Sequence, residues 1–190
     1  KVHVLRNLVD SPTSTPAIDY ETAGKITIVH VGNLNAGRQL DVLITAFQYL
    51  SNDFALVLMG NGSLKEQLKQ LTQSLGLESK VKFFDSVAPN DVAKTLAQAD
   101  ISAVINPHDG LNREYTYPQK LFESIAAGLP LITTDTVSIL KLVKQYDLGL
   151  IVDPTDAKAI AKAIEKMAEP ETYAHYKGKV NIARQTLNWQ

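Results

Sequence analysis

Cysteine is absent from the 190 residues of this chain. Disulfides, thiolate metal sites and cysteine nucleophiles are therefore excluded, and nothing points to an oxidising compartment. No apolar run approaches the ~18–20 residues that span a bilayer, and no signal peptide is visible. An excess of either charge is missing too: 19 Lys and Arg stand against 20 Asp and Glu. A general nucleic-acid binder needs a basic footprint to displace counterions from phosphates, so that class is set aside. The histidines His3, His30, His108 and His175 are scattered, without the spacing of a metal motif. There is no G-x-S-x-G elbow for a serine hydrolase. What is present is apolar mass: 45% of the residues are hydrophobic, enough to fill one sizeable core. The chain opens on Lys1 rather than a methionine, which reads as a piece of a longer protein.

Residues 1–24 differ from the rest. Val2-His3-Val4-Leu5 reads as a short strand, and the Pro, Ser and Thr between Asp10 and Gly24 read as a linker or surface loop. From residue 25 to 190 a strand-then-helix unit repeats. Short β-branched or apolar runs begin at Ile26, Phe54, Val81, Ile101, Leu131 and Leu150. Between them, apolar residues recur at helical spacing, as in Leu40, Leu43, Ile44, Phe47 and Leu50. Ser63 is expected to cap the second helix and Gly76 to end it, Pro118 to take the first helical position of a later one, and Asp156 to cap another. About six strands alternating with helices predict an α/β, Rossmann-like, doubly wound parallel sheet covered on both faces. Ligands of such sheets gather beyond the C-terminal strand ends, so the exit loops are where chemistry is sought.

Three exit loops stand out. Gly32-Asn33-Leu34-Asn35-Ala36-Gly37-Arg38 follows the first strand. It has the glycines of a phosphate-approaching turn and an arginine whose planar fork suits a phosphate, but not the residues of a P-loop or of a G-x-G-x-x-G fingerprint. Gly60-Asn61-Gly62-Ser63 is a second glycine-rich turn, which turn chemistry alone explains. The third runs from His108 to Glu123, about twelve residues of loop and then a helix entered at Pro118 and stopped by Gly128 and Pro130. Read alone, Glu123 is a helix-surface carboxylate.

Taken in order, these segments resemble the group 1 family of retaining GT-B glycosyltransferases. Tyr117-Pro118-Gln119-Lys120-Leu121-Phe122-Glu123 resembles the P-N-K-L-F-E form of the family's E-x7-E donor signature, and the following residues to Gly128-Leu129-Pro130 resemble its small-residue helix end. Asn7-Leu8-Val9-Asp10 is similar to an interdomain N-G-V-D element, Gly32 with Arg38 to a G-R…K-G diphosphate loop, and Gly60-Asn61-Gly62 to a G-x-G turn. Ala99-Asp100 with Pro107 is similar to an "AD…P" segment, and Asn188-Trp189 to an F-S-W element. Three departures matter. Tyr115 falls where the first glutamate of E-x7-E belongs, with Glu114 adjacent; Asn33 replaces the arginine of the G-R loop; Lys141 replaces a frequent glutamate.

The resemblance implies a donor-binding domain that holds a nucleoside-diphosphate (NDP) sugar, with a hexosyl group transferred to an acceptor held by a missing N-terminal domain. It implies Glu123 on the ribose hydroxyls, Gly32, Asn33, Arg38 and Gly60 at the diphosphate loops, and Ser86 and Val87 beside the base. It implies Tyr115, Tyr117, Pro118, Gln119 and Lys120 near the diphosphate or sugar. No cofactor is expected beyond the donor substrate, no metal and no nucleic acid. The expected setting is cytoplasmic or at the inner face of a membrane, with membrane association only through the missing half. The isolated piece is expected to bind the nucleotide without transferring sugar. Two alternatives remain at this point: a non-catalytic nucleotide-sugar or assembly module of the same shape, and an unrelated dinucleotide-binding domain.

Overall fold

The computed structural model describes residues 18–187; the expected strand at Val2–Leu5, the Asn7–Asp10 element and Asn188-Trp189 lie outside them. Six strands form one sheet: β1 (Ile26–Val31), β2 (Phe54–Met59), β3 (Val81–Phe84), β4 (Ile101–Val104), β5 (Leu131–Thr133) and β6 (Gly149–Ile151). Their order is β3-β2-β1-β4-β5-β6, and every neighbouring pair is parallel. The doubly wound fold read from the sequence is the observed one. Parallel strands need crossovers, and the apolar runs at their centre are buried on both faces: all six residues of β2 are buried.

Eight helices supply the cover among the described residues: α1 (Leu40–Ala46), α2 (Lys65–Ser74), α3 (Val92–Leu96), α4 (Leu111–Tyr115), α5 (Gln119–Ala126), α6 (Val137–Tyr146), α7 (Ala157–Ala168) and α8 (Pro170–Thr186). Alternation along the strands sorts the core into two faces. Ile28, Leu56, Leu58, Ile101, Ala103 and Ile132 point to α1, α2 and α7. Val29, Val57 and Met59 point the other way, to Val92 and Leu96 of α3, and Val104 and Leu131 to α5 and α6. Tyr20, ahead of β1, packs its ring on Phe84 at 5.7 Å and is 2% exposed. Tyr173 and Tyr176 of α8 pack against the first core face. Among the described residues no helix is long and apolar enough to cross a membrane.

Local chemistry sets the helix ends, with corrections. Asp156 caps α7 as expected, its carboxylate accepting from the amides of Lys158 and Ala159 at 2.9 and 3.0 Å. Gly76 follows α2 with φ +66°. Ser63 does not cap α2: its N–H and hydroxyl donate to Asn35 Oδ1 at 2.9 and 3.3 Å, so the β1 exit loop has taken the group the cap would use. Pro118 sits one place earlier than expected, as the N-cap of α5 with ψ 139°, because its backbone is still extended there. The segment after β4, expected as loop, contains a short helix, α4.

Gln39 is the N-cap of α1 at φ 53°, ψ 31°, and its side chain makes no cap hydrogen bond. An L-residue there carries roughly 1–2 kcal/mol of strain, and glycine would trade this for about 0.5–1 kcal/mol of backbone entropy. Gln39→Gly is therefore expected to stabilise the domain by about 0.5–1 kcal/mol, raising the melting temperature by roughly 1–4 °C. Gln39→Ala is expected to leave it nearly unchanged. A lower melting temperature for the glycine variant would show that Gln39 holds α1 through contacts rather than straining it.

Candidate functional site

β1 and β4 are neighbours, but the chain leaves them to opposite sides of the sheet. That reversal opens a crevice beyond their C-terminal ends. A cavity of about 440 Å³ fills it. From the β1 exit it takes Gly32, Asn33 and Arg38; from the start of α5 it takes Pro118, Gln119, Lys120 and Glu123; Val87 closes it from the β3 side. A second cavity of about 220 Å³ adjoins it under the β2 and β3 exits, lined by Gly60 and Ser86 and sharing Gly32, Asn33, Val87 and Glu123 with the first. Ten of the twelve residues singled out in the sequence thus line one continuous crevice.

The remaining two do not. Tyr115 is 66% exposed on α4 and lines neither cavity. Tyr117 lies with its ring 5.8 Å from that of Phe122, packed on the core behind α5. Nor does the adjacent Glu114 turn into the crevice. Its Oε1 meets His108 Nδ1 at 2.6 Å and its Oε2 accepts the Val137 amide at 3.2 Å, so it ties α4 to the start of α6.

Close backbone approach explains the glycines. Gly32 N donates to Met59 O, Leu34 N to Asn61 O and Leu64 N to Leu34 O, so the β1 and β2 exits continue the strand pairing as loops. A Cβ on Gly60 would stand 1.9 Å from Gly32 O, and one on Gly62 would stand 2.4 Å from Leu34 O. Any side chain at either place would wedge the two loops apart. Asn61 Nδ2 donates to Ser86 Oγ at 3.2 Å, which joins the third exit to the pair.

The charges at the crevice are uneven. Lys120 is 9% exposed and Nζ donates to Ile105 O at 3.0 Å. Burial, then the neighbouring Arg38 and Arg113, pulls its ammonium down to about 7. Arg38 is itself lowered, first by burial and then by Arg113, with Asp109 opposing. Arg113 was not singled out in the sequence. Its Nε meets Asp109 Oδ1 at 2.9 Å and its guanidinium donates to Gly37 O, which straps α4 to the β1 exit loop. The i, i+4 spacing of Asp109 and Arg113 was the available signal. His30 was weighed in the sequence only as a metal ligand. It lines the cavity on β1, with Nδ1 at 2.9 Å from Ala103 O, and burial followed by Lys120 holds it neutral. A carbonyl can only accept, so the proton sits on Nδ1 and Nε2 keeps a lone pair. The signal was a histidine inside a largely apolar central strand. Glu123 is 8% exposed; burial raises its carboxyl, and a hydrogen bond from Gln119 partly offsets this. The N-cap Pro118 has no side chain to satisfy the first amides of α5, an arrangement that suits an anion. Among the described residues no group of three or more His, Asp or Glu could hold a metal ion.

The family model described as "Glycosyl transferases group 1" matches residues 18–183. This chain belongs to that family. Among curated relatives it is 29% identical over 176 residues to the N-acetylgalactosamine-N,N'-diacetylbacillosaminyl-diphospho-undecaprenol 4-alpha-N-acetylgalactosaminyltransferase of Campylobacter jejuni, covering 85% of this chain and 46% of that protein. It is 25% identical over 175 residues to the GDP-mannose-dependent alpha-(1-6)-phosphatidylinositol monomannoside mannosyltransferase of Mycobacterium tuberculosis, covering 90% and 46%. The chain therefore spans under half the length of these relatives. Its fold matches that of Anabaena HepE in complex with UDP-glucose, with a TM-score of 0.74 at 22% identity over 88% of this chain and 46% of the other. It also matches the C-terminal domain of the group 1 protein LpcC of Francisella tularensis, with a TM-score of 0.72 at 18% identity over 96% and 100%.

Beside the crevice, His108 joins Glu114 at 2.6 Å and Asp135 at 2.8 Å through its two ring nitrogens. The hydrogen bond to Glu114 raises its pKa most, against partial burial, and Asp135 adds to the rise. A folded pKa above the unfolded one stabilises at low pH, and that stability is lost as pH climbs through the raised value. The His108 ring is therefore expected to titrate above about 6.5. Hydrogen exchange of the α4 amides should quicken over the same interval. A ring titrating at or below that value in NMR, or α4 exchange that ignores it, would contradict this clamp.

Proposed function

We propose that the chain is the nucleotide-sugar-binding part of a retaining glycosyltransferase that moves a hexosyl group from an NDP-sugar to an acceptor. The observation that carries this reading is one crevice with a buried carboxylate, Glu123, at one part and the cations Arg38 and Lys120 at another. A nucleoside diphosphate presents the matching pattern, vicinal ribose hydroxyls and a dianionic diphosphate. A carboxylate accepts both hydroxyls in charge-assisted bonds. The amides at the start of α5, with Arg38 and Lys120, would take charge that grows on the diphosphate as the sugar departs, and such preorganised donors need no covalent cofactor. The β3 exit at Ser86 and Val87 borders the second cavity, where a base would stack beside Gly60. The names of the relatives and neighbours include both UDP- and GDP-linked donors, so the reading commits to ribose and diphosphate, which both share. The acceptor and the rest of the catalytic groups belong to a second, N-terminal half in this account, and any membrane contact would come through that half on the cytoplasmic side.

A second reading, a non-catalytic nucleotide-sugar-binding module, is favoured by one feature. Tyr115 stands in place of the first glutamate and faces solvent, while Glu114 is engaged with His108. Donor turnover by the protein joined to its N-terminal half, with an acceptor present, separates the two.

Glu123→Ala is expected to fold and to lose roughly ten- to a hundredfold in affinity for nucleoside diphosphates, as a charge-assisted bond of about 1.5–3 kcal/mol implies. The loss should be smaller for 2′-deoxyribose analogues, which lack one of the two hydroxyls. Arg38→Ala should instead weaken diphosphates far more than the bare nucleoside, and less so as salt rises. Unchanged ribonucleotide affinity in the Glu123 variant, measured by calorimetry, would sink the ribose assignment.

A further inference from the structure

Lys120 is set apart by what does not surround it. Its side chain is about nine-tenths buried, and Nζ uses one of its three donors on Ile105 O, the carbonyl just past β4. Among the described residues no carboxylate lies within ion-pair distance of it. The groups facing it from the packed elements are Arg38 from the β1 exit, Arg113 from α4 and His30 from β1. Asp109 is taken by Arg113, and Glu123, on the same helix, has its carboxyl on Gln119. The cavity wall therefore holds a buried amino group whose ammonium form has two donors to spare, with two guanidiniums nearby and no carboxylate paired with it.

We propose that an anion entering this cavity is bound together with a proton, which Nζ of Lys120 takes up from water. The lone pair of the amine forms the new N–H bond, the proton comes from solvent or buffer, and the anion supplies the counter-charge that the fold leaves out. Lys120 is thus a binding group that becomes fully charged when its ligand arrives. In the empty cavity burial and the two arginines pull the ammonium down to about 7. A bound anion acts in the opposite direction, because an opposite charge at close range favours the protonated form. Between these two limits, affinity for the anion should fall by up to about tenfold per pH unit as pH rises. The sign for folding is the reverse. From about 7 up to the ordinary lysine value the unfolded chain holds a proton that the empty folded chain lacks, so the empty domain gains stability with pH over that window. The linkage rests on the nucleotide-sugar reading only for one choice of probe, since any anion in the cavity would produce it.

The test follows the Lys120 side chain by NMR in the 190-residue chain, with lysine labelled at Cε and the resonance assigned by its loss in Lys120→Arg. In the empty protein the midpoint should lie near 7. Saturating sulfate, which does not titrate in this range, should raise it by about one unit or more, and UDP-glucose should do the same. Calorimetry at about pH 8 in buffers of differing ionisation heat should report net proton uptake on binding UDP-glucose, about 0.4 proton for a one-unit rise in the midpoint and more for a larger rise. Lys120→Arg, always charged, should bind without uptake and with an affinity that no longer falls with pH. If sulfate moves the midpoint but UDP-glucose neither binds nor moves it, the inference stands and the nucleotide-sugar reading fails. An empty-state midpoint at the ordinary lysine value, or one that saturating anion leaves in place, overturns the inference.

Discussion

Everything at the candidate site depends on the reversal of the chain beside β1. β1 is paired with β2 on one side and β4 on the other, and the exits of β1 and β4 diverge. The crevice is therefore a consequence of strand order rather than of any one residue. What the sequence adds is the chemistry hung on its two sides. Arg38 comes from the β1 exit, and Lys120 and Glu123 come from the helix that returns after β4. Neither set makes a pocket alone. Arg113 then straps the two sides together by reaching from α4 to Asp109 and Gly37 O.

The second constraint is an imbalance of charge within that frame. The cations Arg38, Arg113 and Lys120 share one region with a single engaged carboxylate, Asp109. A buried ammonium without a partner is costly, which is why desolvation and like charge both act against Lys120. A diphosphate bound there as proposed would remove that cost. Affinity and specificity would then share one origin, because a neutral ligand of the same shape would leave the cations uncompensated. Glu123 would work on the same principle with the opposite sign. Its carboxyl is raised by burial, and hydroxyl donors would favour its ionised form.

Much of this was legible in the chain. Five of the six strands begin where apolar runs begin and β6 begins one residue earlier, at Gly149; a fully buried parallel strand such as β2 leaves an unbroken hydrophobic signature. Asp156 capped as its type suggests, because its partners are its own neighbours. Ser63 failed because its partner, Asn35, is remote in sequence. The same holds at the site. Gly32, Arg38 and Glu123 could be placed from motif order, but His30 and Arg113 matter through contacts made across the fold, with Ala103 O and Gly37 O. Tyr115, reached by counting along a motif, is exposed on α4 and lines neither cavity, and the adjacent Glu114 turns toward His108.

The central claim is that the crevice between the β1 and β4 exits holds the nucleoside diphosphate. Amide chemical-shift mapping during titration of the chain with UDP-glucose and GDP-mannose tests it most directly. At least one of them should move the amides of Gly32, Asn33 and Arg38 together with those of Gln119, Lys120 and Glu123. The amides of β6, at the far edge of the sheet, should stay in place. Saturable shifts confined to another surface, with those six amides unmoved, would contradict it.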